Sequence, residues 1–346
     1  MTAPVVDATD LRIWYGTPRG PVRAVDGVSF SVGRGEILGL VGESGCGKST
    51  LGRGLLGLLP EGAKMDGHLG FKGEDLLAMT PKERFQRRGR DLAMIFQEPL
   101  TRLNPLMRIS EHFVETLRTH HPKMSAAEIE NRSLEVLRLI GIPPSRWKSY
   151  PHEFSGGMRQ RLMIALALVL RPAFVVADEP TTALDVLVEA QIIKILHDLR
   201  ENFDTSLLLI THNLGIIAEA CDRVAVMYAG KIVEIGDART VFADPKHPYT
   251  RELLRSTITL ATDGLHSIPG APPDLVAPPT GCHFHPRCPD AMEVCRLREP
   301  AIRARGGGPV MVGSNDVACW AATPEGLTAG ETAPLVREEL SVADEA

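Results

Sequence analysis

The sequence predicts an α/β fold: a parallel sheet covered on both faces, a helical lobe inserted into it, and a small cysteine-bearing segment after it. Three observations carry this reading. The apolar run 37–41 feeds a glycine-rich turn, residues 42–47, which Lys48, Ser49 and a helical stretch follow. A second apolar run, 174–177, ends in the acids Asp178 and Glu179. A third, 207–210, leads to His212, and helical periodicity fills the intervals between the runs. Short apolar runs alternating with helices mark parallel strands joined by crossovers.

Taken in order, residues 5–32 alternate apolar and polar character, with turn residues at Gly16, Pro18, Gly20 and Gly27, and predict a small antiparallel sheet. A helix is expected from 49 to 59, stopped by Pro60, and more strand and loop over 66–95. Between about 98 and 155 the pattern is helical, with 124–140 the clearest piece. After Gly157 a helix is expected to Leu170, then the strand 174–177, an amphipathic helix 186–200, the strand 207–210 and a hairpin over 224–235 turning at Ala229 and Gly230. From Pro245 the composition shifts, and residues 269–289 carry seven prolines. The expected organisation is a nucleotide-binding domain over 1–245 with a helical subdomain at about 98–160, an accessory domain over 246–324, and a tail over 325–346 that reads as disordered. No internal repeat is present.

At 346 residues the chain can hold a large core plus an appendage, and 44% hydrophobic with 23% charged residues is ordinary for a globular protein. The formal net charge of −5 argues against nucleic acid as the main partner. The start lacks the basic end and apolar run of a secretory signal. The longest apolar stretch, 162–170, is nine residues, well short of the ~20 that a membrane-spanning helix needs, so any membrane role is expected to run through partner proteins. Six cysteines without an export signal point to metal or redox use before a disulfide framework.

Gly42, Glu43, Ser44, Gly45, Cys46, Gly47, Lys48 and Ser49 satisfy the G-x-x-x-x-G-K-[ST] pattern of a phosphate loop. Glycines let backbone amides turn toward phosphates, and the following helix start adds partial positive charge. Lys48 is placed to bridge the β- and γ-phosphates, Ser49 to ligate magnesium and Thr50 to reach the α-phosphate. The pattern occurs by chance in unrelated chains, but here it also follows a strand and opens a helix. Asp178 and Glu179 sit at the carboxyl end of a strand, where ligands bind in open α/β sheets. Acids often end strands as plain turn formers; with a phosphate loop upstream, Asp178 is expected to hold magnesium through water and Glu179 to act as general base on the attacking water.

Ser155, Gly156 and Gly157 open another helix and supply a second anion site, with Ser155 as its cap. One nucleotide does not need two such sites in one subunit, so the economical reading is two subunits facing each other, each capping the other's nucleotide. With its phosphate loop, acid pair and Ser-Gly-Gly helix start in that order, residues 11–236 resemble the ABC-type ATPases. The resemblance implies a RecA-like core with an N-terminal antiparallel β subdomain and a helical subdomain. The family's usual Leu-Ser-Gly-Gly-Gln reads here with Phe154 and Met158 at its ends, which keeps the anion cradle and removes the terminal amide. It further implies that Gln97 belongs to the Q-loop and touches the metal–water site, that residues 183–185, ending in Asp185, form the D-loop at the dimer seam, and that His212 contacts the γ-phosphate. Tyr15 is expected to stack on adenine. Loss of Glu179 is expected to permit ATP binding and stop hydrolysis.

Residues 103–105 after the Q-loop, the segment 244–250, and Ile268, Pro269 and Gly270 leading into the cysteines look like ATPase subunits of bacterial dipeptide and oligopeptide importers, a group with nickel-transporting relatives. That resemblance implies a second ATPase subunit (a related chain by preference), two membrane-spanning permeases docked at the helical lobe, an external peptide-binding protein acting indirectly, and a place on the cytoplasmic face of the membrane. Soluble ABC-type ATPases acting on DNA or ribosomes are a different class. The former insert long coiled coils and the latter carry two ATPase units, and neither feature is seen here. A plain nucleotide kinase leaves Ser155 and His212 unexplained.

Cys282, Cys288, Cys295 and Cys319 form a group, and the resemblance implies that they hold a 4Fe–4S cluster, as the matching cysteines do in some members. On chemistry alone four thiolates suit a cluster or tetrahedral zinc, and no metal or a disulfide stays open. Intervals of five, six and twenty-three residues fit zinc poorly. His283 and His285 are candidate helpers of zinc, and Cys46 and Cys221 read as small apolar fillers.

Overall fold

The computed structural model describes residues 3–97, 102–182, 185–256, 267–304, 316–323 and 327–335. In chain order its elements begin with β1 (Val6–Thr17), β2 (Gly20–Val32), β3 (Ile37–Val41), α1 (Lys48–Leu55), β4 (Lys64–Phe71), β5 (Glu74–Asp75), α2 (Pro81–Arg87) and β6 (Leu92–Ile95). The helical lobe follows with α3 (Ile109–His120), α4 (Ala126–Leu139) and α5 (Gly156–Leu168). Next come β7 (Phe174–Asp178), α6 (Val186–Phe203), β8 (Ser206–Ile210), α7 (Leu214–Ala220), β9 (Arg223–Tyr228), β10 (Lys231–Asp237), α8 (Ala238–Ala243) and α9 (Pro248–Arg255). The last pieces are α10 (Glu293–Leu297), β11 (Arg303–Ala304) and β12 (Asp316–Val317).

Two sheets organise these elements. The N-terminal one is antiparallel in the order β2-β1-β4-β5. The larger sheet runs β11-β12-β10-β9-β3-β8-β7-β6, parallel from β9 through β6 and antiparallel from β9 to β11. Strand β3 lies near its middle and is buried on both sides. Leu38 and Leu40 pack toward the N-terminal sheet and α1, whereas Ile37 and Val41 pack toward the helices. Burial on both faces is why β3, β7 and β8 read as unbroken apolar runs with no alternation.

Some boundaries differ from expectation for identifiable reasons. Helix α1 ends at Leu55, well before Pro60, because Gly57 takes a left-handed φ of +63° and closes a Schellman turn: Leu58 N donates to Arg53 O at 2.8 Å and Gly57 N to Gly54 O at 2.9 Å. Helix α2 was not expected. It buries no side chain, so no apolar stripe announces it, but Thr80 and Glu83 form a capping box ahead of it and Pro81 occupies its first turn. Helix α5 buries residues around most of its circumference, Leu162, Ile164, Ala165 and Leu168 among them, and so forms the floor of the helical lobe.

The C-terminal segment is joined to the core by backbone pairing. Strand β12 pairs antiparallel with β10, Glu234 opposite Val317, and extends the large sheet past its hairpin edge. Residues 327–335 lie against α10, where Leu335 N donates to Ala291 O at 2.9 Å and Glu293 N to Ala333 O at 3.0 Å.

Candidate functional site

The phosphate loop leaves the carboxyl end of β3 and turns into α1. Two of its glycines are required by close packing in the left-handed region: a Cβ at Gly42 (φ +152°) would stand 2.1 Å from Met227 O, and one at Gly47 (φ +111°) 2.0 Å from Ala24 O. Gly47 caps α1 without any side-chain bond, and no acid occupies the first turn, so the first amides and the positive helix end stay available to an anion. Lys48 Nζ donates to Gly42 O at 2.7 Å and Glu43 O at 2.9 Å, which bends the ammonium back over the loop. Tyr15 OH donates to Thr50 Oγ1 at 3.2 Å, placing the tyrosine beside the start of α1. Cys46 is buried and its thiol is pushed up by that burial, in keeping with a filler.

Ser49 Oγ donates to Asp178 Oδ1 at 2.9 Å across the gap between α1 and β7. These two hard oxygens, one on each side of the loop mouth, fit a magnesium ion bound with water and phosphate. Burial holds the Asp178 carboxyl above its ordinary range, and the Ser49 bond opposes that rise.

Glu179 is the centre of a converging set. Its backbone has φ +48°, rare for a residue with a side chain, and its N–H donates to Ile210 O at 2.8 Å, locking this turn to the end of β8. Gln97 Nε2 donates to Glu179 Oε2 at 3.0 Å and Thr182 Oγ1 to the same oxygen at 2.8 Å. His212 Nδ1 stands 3.5 Å from the other oxygen, Oε1. Two donors therefore fix one carboxylate oxygen, and the second faces a histidine that is 65% exposed. A carboxylate so held can accept a proton from a water on its open side. The fold thus brings Gln97, Asp178, Glu179 and His212 to the ends of neighbouring strands. Thr182 was missed by sequence reasoning, and its signal was a hydroxyl three residues beyond the strand-ending acid.

Ser155 caps α5, its Oγ accepting from Met158 N at 3.4 Å. Ser155 and Gly156 are exposed, and among the described residues Ser155 makes no bond to the phosphate loop of its own chain. A Cβ at Gly156 would meet nothing within 4 Å, whereas one at Gly157 would stand 2.6 Å from Val188 Cγ1. The second glycine is therefore small in order to pack on α6, and the first leaves an open surface. Asp185 caps α6 by accepting from Val188 N at 2.8 Å, and the adjoining Val186 and Leu187 are exposed apolar side chains. The rest of the expected D-loop, residues 183 and 184, lies outside the described residues.

Two further contacts were not expected from sequence. Tyr249, at the start of α9, has its OH 2.8 Å from Glu43 N and accepts that amide. Arg287, in the cysteine segment, makes a two-pronged ion pair with the Glu43 carboxylate. Sequence reading treats both as remote from the loop by more than 200 positions.

No disulfide joins Cys282, Cys288, Cys295 or Cys319 among the described residues, and the last three are buried. They come within electrostatic reach of one another. Burial pushes the Cys282 thiol up to about 12, and Cys295, Cys319 and Cys288 add to the rise. Cys288 is raised to about 12 in the same way. Backbone hydrogen bonds from the vicinity of Phe284, Asp290, Ala321 and Ala322 favour the thiolate forms of Cys282, Cys288 and Cys319. Among the described residues, no three His, Cys, Asp or Glu side chains are gathered as ligands of a metal ion. The two histidines are committed elsewhere, His283 Nδ1 lying 2.9 Å from Ala229 O and His285 Nδ1 2.9 Å from Cys282 O.

Comparison with known proteins agrees with this architecture. Residues 25–182 match the family model of the ABC transporter, and residues 233–295 match that of the oligopeptide/dipeptide transporter C-terminal region. The chain is 47% identical over 300 residues to the oligopeptide transport ATP-binding protein OppD of Salmonella typhimurium, covering 86% of this chain and 89% of the relative. It is 46% identical over 322 residues to the dipeptide transport ATP-binding protein DppD of Bacillus subtilis, covering 91% and 94%. Among solved structures, the ATP-binding cassette MJ0796, in a dimeric post-hydrolysis state bound to ADP and Pi, superposes with a TM-score of 0.61 at 25% identity over 68% of this chain and 99% of that one. CbiO1 from Clostridium perfringens, part of an ABC transporter complex, gives 0.62 at 26% over 70% and 92%. The chain is an ATPase with the cassette fold, and it belongs to the ABC transporter family, in its branch of ATP-binding proteins that carry the oligopeptide/dipeptide C-terminal region.

Proposed function

We propose that this ATPase powers the import of di- and oligopeptides. It works with a second ATPase subunit and two membrane-spanning permeases on the cytoplasmic face of the membrane, and an external binding protein delivers the peptide. The observation that carries the reading is the joining of one ATP site to the oligopeptide/dipeptide C-terminal region within a single chain. Among the described residues no helix is long and apolar enough to cross a membrane, and in this reading the pore belongs to the permeases.

In this reading the phosphate loop and Lys48 bind the triphosphate and Tyr15 lies under the adenine; Asp178 and Ser49 would hold magnesium, which would supply positive charge against the phosphates. Glu179 takes the proton of the attacking water while Gln97 and Thr182 orient it, and His212 faces the γ-phosphate. Ser155 and the open amides at Gly156 receive that phosphate from the opposite subunit. The exposed tip of α5 and the exposed Val186 and Leu187 beside Asp185 support such a seam. ATP then favours the closed pair and hydrolysis releases it.

The cysteine group serves, in the same reading, as a structural iron–sulfur site. Support comes from the resemblance of this segment to the family's cysteine-bearing C-terminal domain, and from Cys295, Cys319 and Cys288 each acting electrostatically on Cys282. Among the described residues no three such side chains are gathered as ligands of any metal ion, so the cluster reading rests on the family resemblance, with zinc as its alternative.

The experiment is reconstitution of the chain with its permeases and partner ATPase in proteoliposomes. Peptide-loaded binding protein is expected to raise ATP hydrolysis severalfold and to drive uptake of labelled peptide. Stimulation by a nickel-loaded binding protein, with none by peptide, would overturn the peptide reading.

A further inference from the structure

Glu43 is the only acid in the phosphate loop, residues 42–49, and a bare carboxylate there would repel a triphosphate and compete for Lys48. It is not bare. Arg287 Nη1 donates to Glu43 Oε2 at 2.7 Å and Nη2 to Oε1 at 3.0 Å, a fork-to-fork pair. The remaining donors of the guanidinium are used as well: Nε on Pro269 O at 2.8 Å, Nη2 on Ile268 O at 3.2 Å and Nη1 on Tyr228 OH at 3.3 Å. All five N–H groups thus have acceptors, and the side chain is only 5% exposed, so its position is fixed by the C-terminal segment. Residue 43 is held from two more directions, Tyr249 OH accepting its amide and Lys48 Nζ donating to its carbonyl. Beneath it Tyr228, Tyr249 and Phe284 form a ring cluster with centroids 4.6 to 5.3 Å apart, so three separate stretches of chain converge on one loop residue.

We propose that Arg287 is a positioning residue for ATP binding: it neutralises the one acid of the phosphate loop and pins that loop open, so that affinity for the triphosphate depends on the fold of the cysteine-bearing segment. A filler role would leave the charge of Glu43 irrelevant, whereas this role makes it decisive. The proposal rests on the assignment of residues 42–49 as the ATP site, which needs its own control.

The test is titration of the full chain with the fluorescent analogue MANT-ATP at low and high potassium chloride. Arg287→Gln is expected to raise Kd about tenfold at low salt, and the defect is expected to shrink at high salt as the exposed carboxylate is screened. Adding Glu43→Gln to Arg287→Gln is expected to bring Kd back to within about threefold of the parent. Binding by Arg287→Gln within about twofold of the parent, or a double variant as weak as the single, overturns the proposal. Should Arg287→Gln not fold by circular dichroism, the double variant decides alone: parent-like affinity supports the charge role and a loss of about tenfold overturns it. Lys48→Ala is the control. If it binds MANT-ATP as the parent does, the ATP-site assignment fails; if it loses binding while Arg287→Gln keeps it, only the role of Arg287 fails.

Discussion

Glu179 shows how much one side chain's environment decides. Gln97 and Thr182 donate to one oxygen and His212 lies near the other, so Glu179→Gln keeps an acceptor for both donors and loses only the proton-accepting charge. Turnover measured by phosphate release is expected to fall by about 10²–10⁴-fold, with MANT-ATP binding retained. Hydrolysis within about tenfold of the parent would remove Glu179 from the role of base. A second residue-scale case is His247, fully buried ahead of α9, where its Nδ1 accepts from Tyr249 N at 3.0 Å. Burial, helped by the positive charge of Arg251, depresses it to about 3. The unfolded chain protonates this histidine near pH 6.5, so between pH ~6.5 and ~3 the unfolded state binds the extra proton. Stability is therefore full above that window and falls as pH drops through it, by at most about 1.4 kcal/mol per pH unit from this group. His247→Asn, which keeps a capping oxygen and cannot titrate, is expected to flatten the acid side of a plot of Tm against pH. An unchanged acid slope would place the acid sensitivity elsewhere.

Helix α5 carries two duties on one end. Its N-cap Ser155 satisfies Met158 N, and the same exposed tip is proposed to meet the phosphate of the opposite subunit. Substitution separates the duties. Ser155→Ala is expected to cost about 1 kcal/mol of stability through the lost cap. Ser155→Asp keeps a good cap and favours the positive helix end, yet places a carboxylate where the γ-phosphate would sit. In a Glu179→Gln background, size-exclusion chromatography with ATP and magnesium is expected to show dimers with Ser155 and monomers with Asp at 155. Equal dimerisation of the two would sink the shared-site arrangement. At this scale the sequence was legible wherever an element buries an apolar face, as β3, β7 and β8 do. It was misread where backbone geometry decides, at the glycine turn that ends α1 and the capping box that starts α2, which buries no side chain.

Across the whole molecule, the C-terminal segment is more than an appendage. It adds β12 and β11 to the edge of the large sheet, sends Arg287 to the phosphate loop, and carries four cysteines. Burial pushes the Cys282 and Cys288 thiols up to about 12, so binding of a metal there must displace their protons. Anaerobically purified protein is expected to be brown, with about four irons and matching sulfide per chain. A colourless preparation with one zinc per chain would overturn the cluster reading.

The candidate site residues were readable in the chain because each sits close to a strand end or helix start. The loop 42–49, the acids 178 and 179 and Ser155 stand out by local pattern, and His212 by resemblance to the ABC-type ATPases. Thr182 on Glu179, Tyr249 and Arg287 on Glu43, and β12 beside β10 were decided by the tertiary structure alone. Those contacts join positions far apart in sequence, and only the packing of buried faces brings them within hydrogen-bonding range.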